Sequence, residues 1–220
     1  MRPFPHRLGV VNTVSGPGEV GAWLVSDPGV NKIMFTGSTV TGKRIAEAAA
    51  RNMVPVTMEL GGNDAAIVLP DADPKVMAMG LFWGAFINMG QTCACAKRLY
   101  VHESLFDQTV QALKEIAQAV PMGNGMQDGM QDGMVMGPIQ NKMQYDKVIS
   151  LVESAKQAGA TIVCGGTAPA GPVLPIIKYS NIDDAVASAN RLSAGLGASV
   201  WSSDVEPATH SWTSTFAPVQ

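Results

Sequence analysis

Cys93 and Glu59 are the side chains whose type and setting could do nucleophilic and general-base chemistry. Cys93 stands in GQTCAC, residues 90–95, behind a Gly-Gln pair that lets the backbone present a side chain to a cleft. A free thiol has a pKa near about 8.5 and is a poor nucleophile at neutral pH until its surroundings lower that value. Glu59, 34 residues upstream, stands near the end of the strand-like run VPVTMEL and is followed by Gly61-Gly62, which let a substrate or cofactor come close. A carboxylate there can act as a general base toward water. Cys95 shares the parity of Cys93 and reads as lining or core, the commoner fate of the residue. Cys164 is isolated, and His6, His102 and His210 show no triad or metal spacing.

Two stretches could receive an anion. Gly16, Gly18 and Gly21 in SGPGEVG have the GxGxxG form, after a strand-like run and before a helix-like one. Pro17 stiffens that turn, and Thr41 falls where a ribose-holding acid would stand, so the match reads as a plain strand-to-helix turn. In FTGSTVTG, Gly37 and Ser38 end a strand and precede a helix whose first N–H groups are unpaired. Phosphate site and simple helix cap are equal readings there. The tandem GMQD of residues 125–134 carries Asp128 and Asp132, spaced too thinly for a calcium cage, and reads as a duplicated loop.

The elements that must position these residues alternate. Strand-like runs at 8–14, 31–38, 54–60 and 64–70 interleave with helical patterns at 19–26 and 41–52. That order predicts α/β architecture with a mostly parallel, doubly wound sheet. Further on, a helix from Asp71 to Gly90, a strand at 97–102, helices at 104–120 and 139–159, strands at 161–166 and 173–179, a helix near 183–191 and a strand at 197–203 are expected.

Composition narrows the function. Of 220 residues, 46% are hydrophobic and 15% charged, with a net charge of −3, and the basic residues are scattered, which argues against a nucleic-acid partner. No apolar run is long enough for a membrane span or a signal peptide, and three cysteines without framework spacing fit a reducing, cytoplasmic setting.

FTGSTVTGKRIAEAAA, PVTMELGGNDAAIVLPDADP, FINMGQTCACAKRLYVH and GPVLPIIKYSNIDDAVASANRLSAGLGASVW closely resemble, in order and spacing, the aldehyde dehydrogenase superfamily, from about residue 8 to about 204. The resemblance implies part of a Rossmann-type cofactor domain over residues 1–60, an α/β catalytic domain over 61–204, and a tail unlike the family over 205–220. It implies NAD or NADP as cofactor and a small-molecule aldehyde as substrate. Cys93 would be the nucleophile and Glu59 the base that activates water against a thioester. Gly37, Ser38, Gly42 and Leu60 would face the cofactor, and Cys95 would have no catalytic part. Members are usually homo-oligomers.

Departures from the family are expected as well. Its cofactor domain begins upstream of Leu8, with an oxyanion-hole asparagine and a ribose-binding lysine, and Met1–Arg7 resembles neither. Ala168 stands where the family has the glutamate that holds the nicotinamide ribose, as if a block of chain before Gly171-Pro172-Val173 were deleted. Three readings follow: an NAD(P)-dependent aldehyde dehydrogenase in truncated form, weak in activity; a non-catalytic fragment; or a cofactor-free thiol esterase using Cys93 and Glu59.

Overall fold

The computed structural model describes residues 9–124, 136–167 and 171–204, together with 206, 208 and 209. The GMQD repeat, Ala168, His6, His210, Met1–Arg7 and most of the stretch after Asp204 lie outside these. The chain divides into two units, Met1–Leu60 and Gly61–Gln220.

In the first unit, α1 (Gly18–Ser26), β1 (Ile33–Gly37), α2 (Thr39–Arg51) and β2 (Val56–Leu60) follow one another, and β1 pairs in parallel with β2. The alanine-rich α2 starts where Ser38 accepts the Thr41 N–H at 3.2 Å, satisfying one of the orphan donors of the first turn. It packs on β2 at Gly42, where an added Cβ would stand 2.8 Å from Leu60 Cδ2. Of the strand expected at 8–14, none is formed among the described residues 9–14: residues 12–17 carry no assigned secondary structure, and Val10, Val11 and Val14 are exposed. An apolar run with no ladder to join and a Gly-Pro-Gly close behind it does not make a strand.

The second unit is built on a fully parallel four-stranded sheet in the order β5-β4-β3-β6, formed by β3 (Asp64–Val68), β4 (Ala96–His102), β5 (Ile176–Tyr179) and β6 (Ala198–Trp201). Its helices are α3 (Pro74–Phe86), α4 (Phe106–Ala119), α5 (Lys142–Gln157) and α6 (Ile182–Ala189). β3 is flanked on both sides and buried at every position, as the continuous apolar run AAIV requires. Alternate residues feed two cores. Ala66, Val68, Leu99 and Val101 pack with Leu81, Phe82 and Leu113 of α3 and α4. Ala65, Ile67, Tyr100 and Tyr179 pack with Ala185 and Ala189 of α6. The fold is α/β, and among the described residues every strand pair is parallel.

Asn181 caps α6 through the Asp183 N–H at 2.8 Å, and Asp73 caps α3, with Pro74 in its first turn. At the carboxyl end of β3, Asp71 accepts from the Ser202 hydroxyl and from the N–H groups of Ser203 and Asp204. The Ser202 hydrogen bond is the first cause that holds its carboxyl below the usual range, opposed by desolvation and helped by the Asp204 and Ser203 N–H groups. Burial pushes the Tyr179 phenol up, with the Asp71 charge adding to it, and its hydroxyl donates to Val68 O at 2.7 Å. The strand expected at 161–166 is irregular, because Gly165 and Gly166 adopt left-handed conformations at φ 66° and 74°.

Candidate active site

In the first unit, parallel pairing sets Thr36 beside Glu59 and Gly37 beside Leu60, so four of the expected site residues stand at the carboxyl ends of β1 and β2 or just beyond. Glu59 is exposed at the fourth position of its strand. Ser38 follows β1 and opens α2, its hydroxyl 2.9 Å from that of Thr41 and its carbonyl accepting the Gly42 N–H at 2.9 Å. Helix geometry leaves the N–H groups of Thr39 and Val40 without an intrahelical partner, and no acidic residue occupies the first turn. Dipole, free donors and absent negative charge together suit a phosphate. Gly42 is buried against Leu60, so these two act first as the packing that fixes the helix start.

The second unit carries the thiol. α3 stops at Phe86 rather than running to Gly90, because Asn88 and Met89 turn left-handed at φ 50° and 60° and Gly90 follows at φ 68°. Gln91, Thr92 and Cys93 come next, and the Cys93 side chain is exposed. Its carbonyl accepts the Gly62 N–H at 3.2 Å, which ties the Cys93 backbone to the glycine turn ahead of β3. Only glycine fits at 62: a Cβ would lie 2.1 Å from Asp64 Oδ1 and 3.0 Å from Leu196 N. Asp64 is buried, and its Oδ1 accepts the Leu196 N–H at 3.0 Å.

Three neighbours brace this loop, and two of them, Arg98 and Lys97, were passed over in the sequence. Arg98 spreads its guanidinium over Asn63 O, at 2.9 Å from Nε and 2.6 Å from Nη2, and over Ala189 O at 3.0 Å from Nη1. It thereby fixes the turn after Gly62 and caps the carboxyl end of α6, a favourable place for a cation. A charged residue inside the apolar strand KRLYV was the available signal. Cys95 is buried, and its thiol points to Ile87 O at 3.8 Å, so it braces the loop as well as filling core. Lys97 donates to Gly90 O. Among the described residues no group of three or more His, Cys, Asp or Glu could hold a metal. No described helix is long and apolar enough to cross a membrane.

The family model that matches is the one described as the aldehyde dehydrogenase family, over residues 7–170 and 167–215. The match breaks at the place where the sequence suggested a missing block, and it runs on past Asp204, where the quoted resemblance stops. A probable aldehyde dehydrogenase of Pseudomonas sp is 36% identical over 213 residues, covering 85% of this chain and 43% of that protein. Phenylacetaldehyde dehydrogenase of Pseudomonas fluorescens is 36% identical over 91% of this chain and 45% of its own length. Among solved structures, lactaldehyde dehydrogenase from Escherichia coli superposes with a TM-score of 0.84 at 31% identity, over 92% of this chain and 47% of that one. An NAD+ complex of aldehyde dehydrogenase from Bacillus cereus does so with a TM-score of 0.80 at 31% identity, over 88% and 44%. The chain thus spans about half the length of the relatives it matches.

Proposed function

The chain belongs to the aldehyde dehydrogenase family, and from that premise we propose that it is organised to oxidise an aldehyde to a carboxylic acid on Cys93, with NAD or NADP as acceptor. The observation that carries this reading is the nucleophile's loop: an exposed thiol whose own carbonyl is pinned by Gly62, the glycine that follows Glu59, Leu60 and Gly61 in the chain.

The Cys93 thiolate adds to the aldehyde carbon, forming a carbon–sulfur bond and leaving an oxyanion that the backbone N–H at Cys93 can receive. When bound, a nicotinamide dinucleotide supplies the acceptor for the hydride that leaves this carbon. Gly37, Ser38 and the start of α2 suit its phosphates, with Gly42 and Leu60 holding that helix start in place. The thioester left on Cys93 is broken by water. Glu59 takes a proton from that water, the new oxygen bonds to carbon, and the sulfur departs as thiolate.

The test is reduction of NAD and NADP with phenylacetaldehyde and lactaldehyde, in the wild type, Cys93→Ala and Glu59→Gln. Aldehyde-dependent reduction should vanish in Cys93→Ala, and Glu59→Gln should accumulate a Cys93 thioester visible by mass. Turnover that survives in Cys93→Ala would overturn the assignment.

A further inference from the structure

We infer that Lys97 is a positioning residue for the Cys93 thiol, acting by closing a backbone loop around it. The inference rests on the reading of Cys93 as nucleophile and concerns how that residue is held.

Asn88, Met89 and Gly90 form a run of left-handed residues, two of them not glycine. Such conformations persist only when the surroundings over-determine them. Part of that determination is local: Gln91 N and Gln91 Nε2 both donate to Asn88 O, at 3.0 and 3.2 Å, and Met89 is buried in the core. Part comes from α5, whose approach delivers the Gln140 N–H to Gln91 Oε1 at 2.7 Å. The remainder comes from the far side of Cys93, where Cys95 reaches Ile87 O and Lys97 reaches Gly90 O.

The ladder explains how Lys97 gets there. Asp64 pairs with Ala96, but the next residue, Ala65, pairs with Arg98, so β4 carries one extra residue and that residue is Lys97. A bulge of this kind unpairs one residue and re-aims its side chain. The half-buried ammonium donates to Gly90 O, the last of the three left-handed residues. The ion pairs among the described residues, Lys142–Asp146 and Lys156–Glu153, do not involve it. Because Gly90 precedes Cys93 and Lys97 follows it, the Lys97–Gly90 bond closes a ring of chain with the nucleophile inside.

The experiment compares wild type with Lys97→Met, which keeps the stem and removes the donor, and Lys97→Arg, which restores a donor. Amide hydrogen exchange is followed on peptides covering residues 87–95 and on those covering α4. Lys97→Met should speed exchange at 87–95 by about tenfold while α4 is unchanged, as expected for a local opening. Its kcat should fall several-fold with KM nearly constant, and Lys97→Arg should recover both. Lys97→Gln is the second arm should Lys97→Met not fold. Exchange at 87–95 that stays at the wild-type rate, or rises equally in α4, would overturn the inference. If the wild type proves inactive on aldehydes, the functional reading fails by itself. Exchange, and the alkylation rate of Cys93 measured against exposed Cys164, still decide the role of Lys97.

Discussion

The two units differ in what stands behind their candidate site residues. In Met1–Leu60, Ile33 and Ala49 are the buried apolar side chains among those described, α1 buries nothing, and Trp23 and Met34 are 69% and 78% exposed. In Gly61–Gln220, β3 is buried along its whole length and has a core on each face. The thiol therefore hangs from a rigid sheet through Gly62, Cys95 and Lys97. The strand ends of the first unit, with the helix start that suits a phosphate, rest mainly on a helix cap and one tight helix–strand contact. A loop that must present one sulfur atom benefits from a stiff support, whereas the local opening energy of an element with few buried contacts is low.

The sharpest way to break this comparison is to cut matched apolar side chains from the two units. Phe82→Ala, in the second, should cost about 3–5 kcal/mol in a denaturant titration. Met34→Ala, in the first, should stay within about 0.5 kcal/mol, as exposed positions do. Equal effects would show that the two supports do not differ. Next in size, Gly62→Ala forces a Cβ against Asp64 and the Leu196 backbone. It should destabilise by about 1–3 kcal/mol, the cost of overpacking, and should change the alkylation rate of Cys93 relative to Cys164.

Ser38→Ala sharpens the other side. Losing the cap of α2 should cost about 1 kcal/mol, read as faster hydrogen exchange in residues 39–42 with no change in β3. The smallest effect concerns acid. Asp71 has a folded pKa below its unfolded one, so its stabilisation is complete above the ordinary carboxylate range and is lost as pH falls through the folded value. Wild-type melting temperature should therefore drop more steeply below about pH 4 than that of Asp71→Asn. Parallel curves would remove Asp71 from the account.

Much of this was legible in the residues. Runs such as VTMEL, DAAIV and ASVW became strands because each had a neighbour to pair with and a face to bury. Residues 8–14 and 161–166 looked equally strand-like and failed, since pairing is a property of the assembled sheet and glycines at 165 and 166 turn the chain away. Cys93 and Glu59 could be singled out from their types and setting, and the parts proposed for them came from the family resemblance. The bracing around Cys93 could not, because the register slip at Lys97 depends on how β3 and β4 align, and nothing in AKRLYVH announces an extra residue. Cys95 is buried, as its type suggested, but its bond to Ile87 O could not be read, because that carbonyl is open to it only where α3 ends early.

The central claim is that Cys93 is the thiol that takes the acyl group. The direct measurement is to treat the chain briefly with p-nitrophenyl acetate, quench in acid, digest, and quantify acetylated peptides by mass spectrometry, in wild type and Glu59→Gln. Acetyl on Cys93, absent from Cys164 and longer-lived in Glu59→Gln, is the predicted result. Acetyl on Cys164 with Cys93 left free, or a lifetime on Cys93 that ignores Glu59, would contradict it.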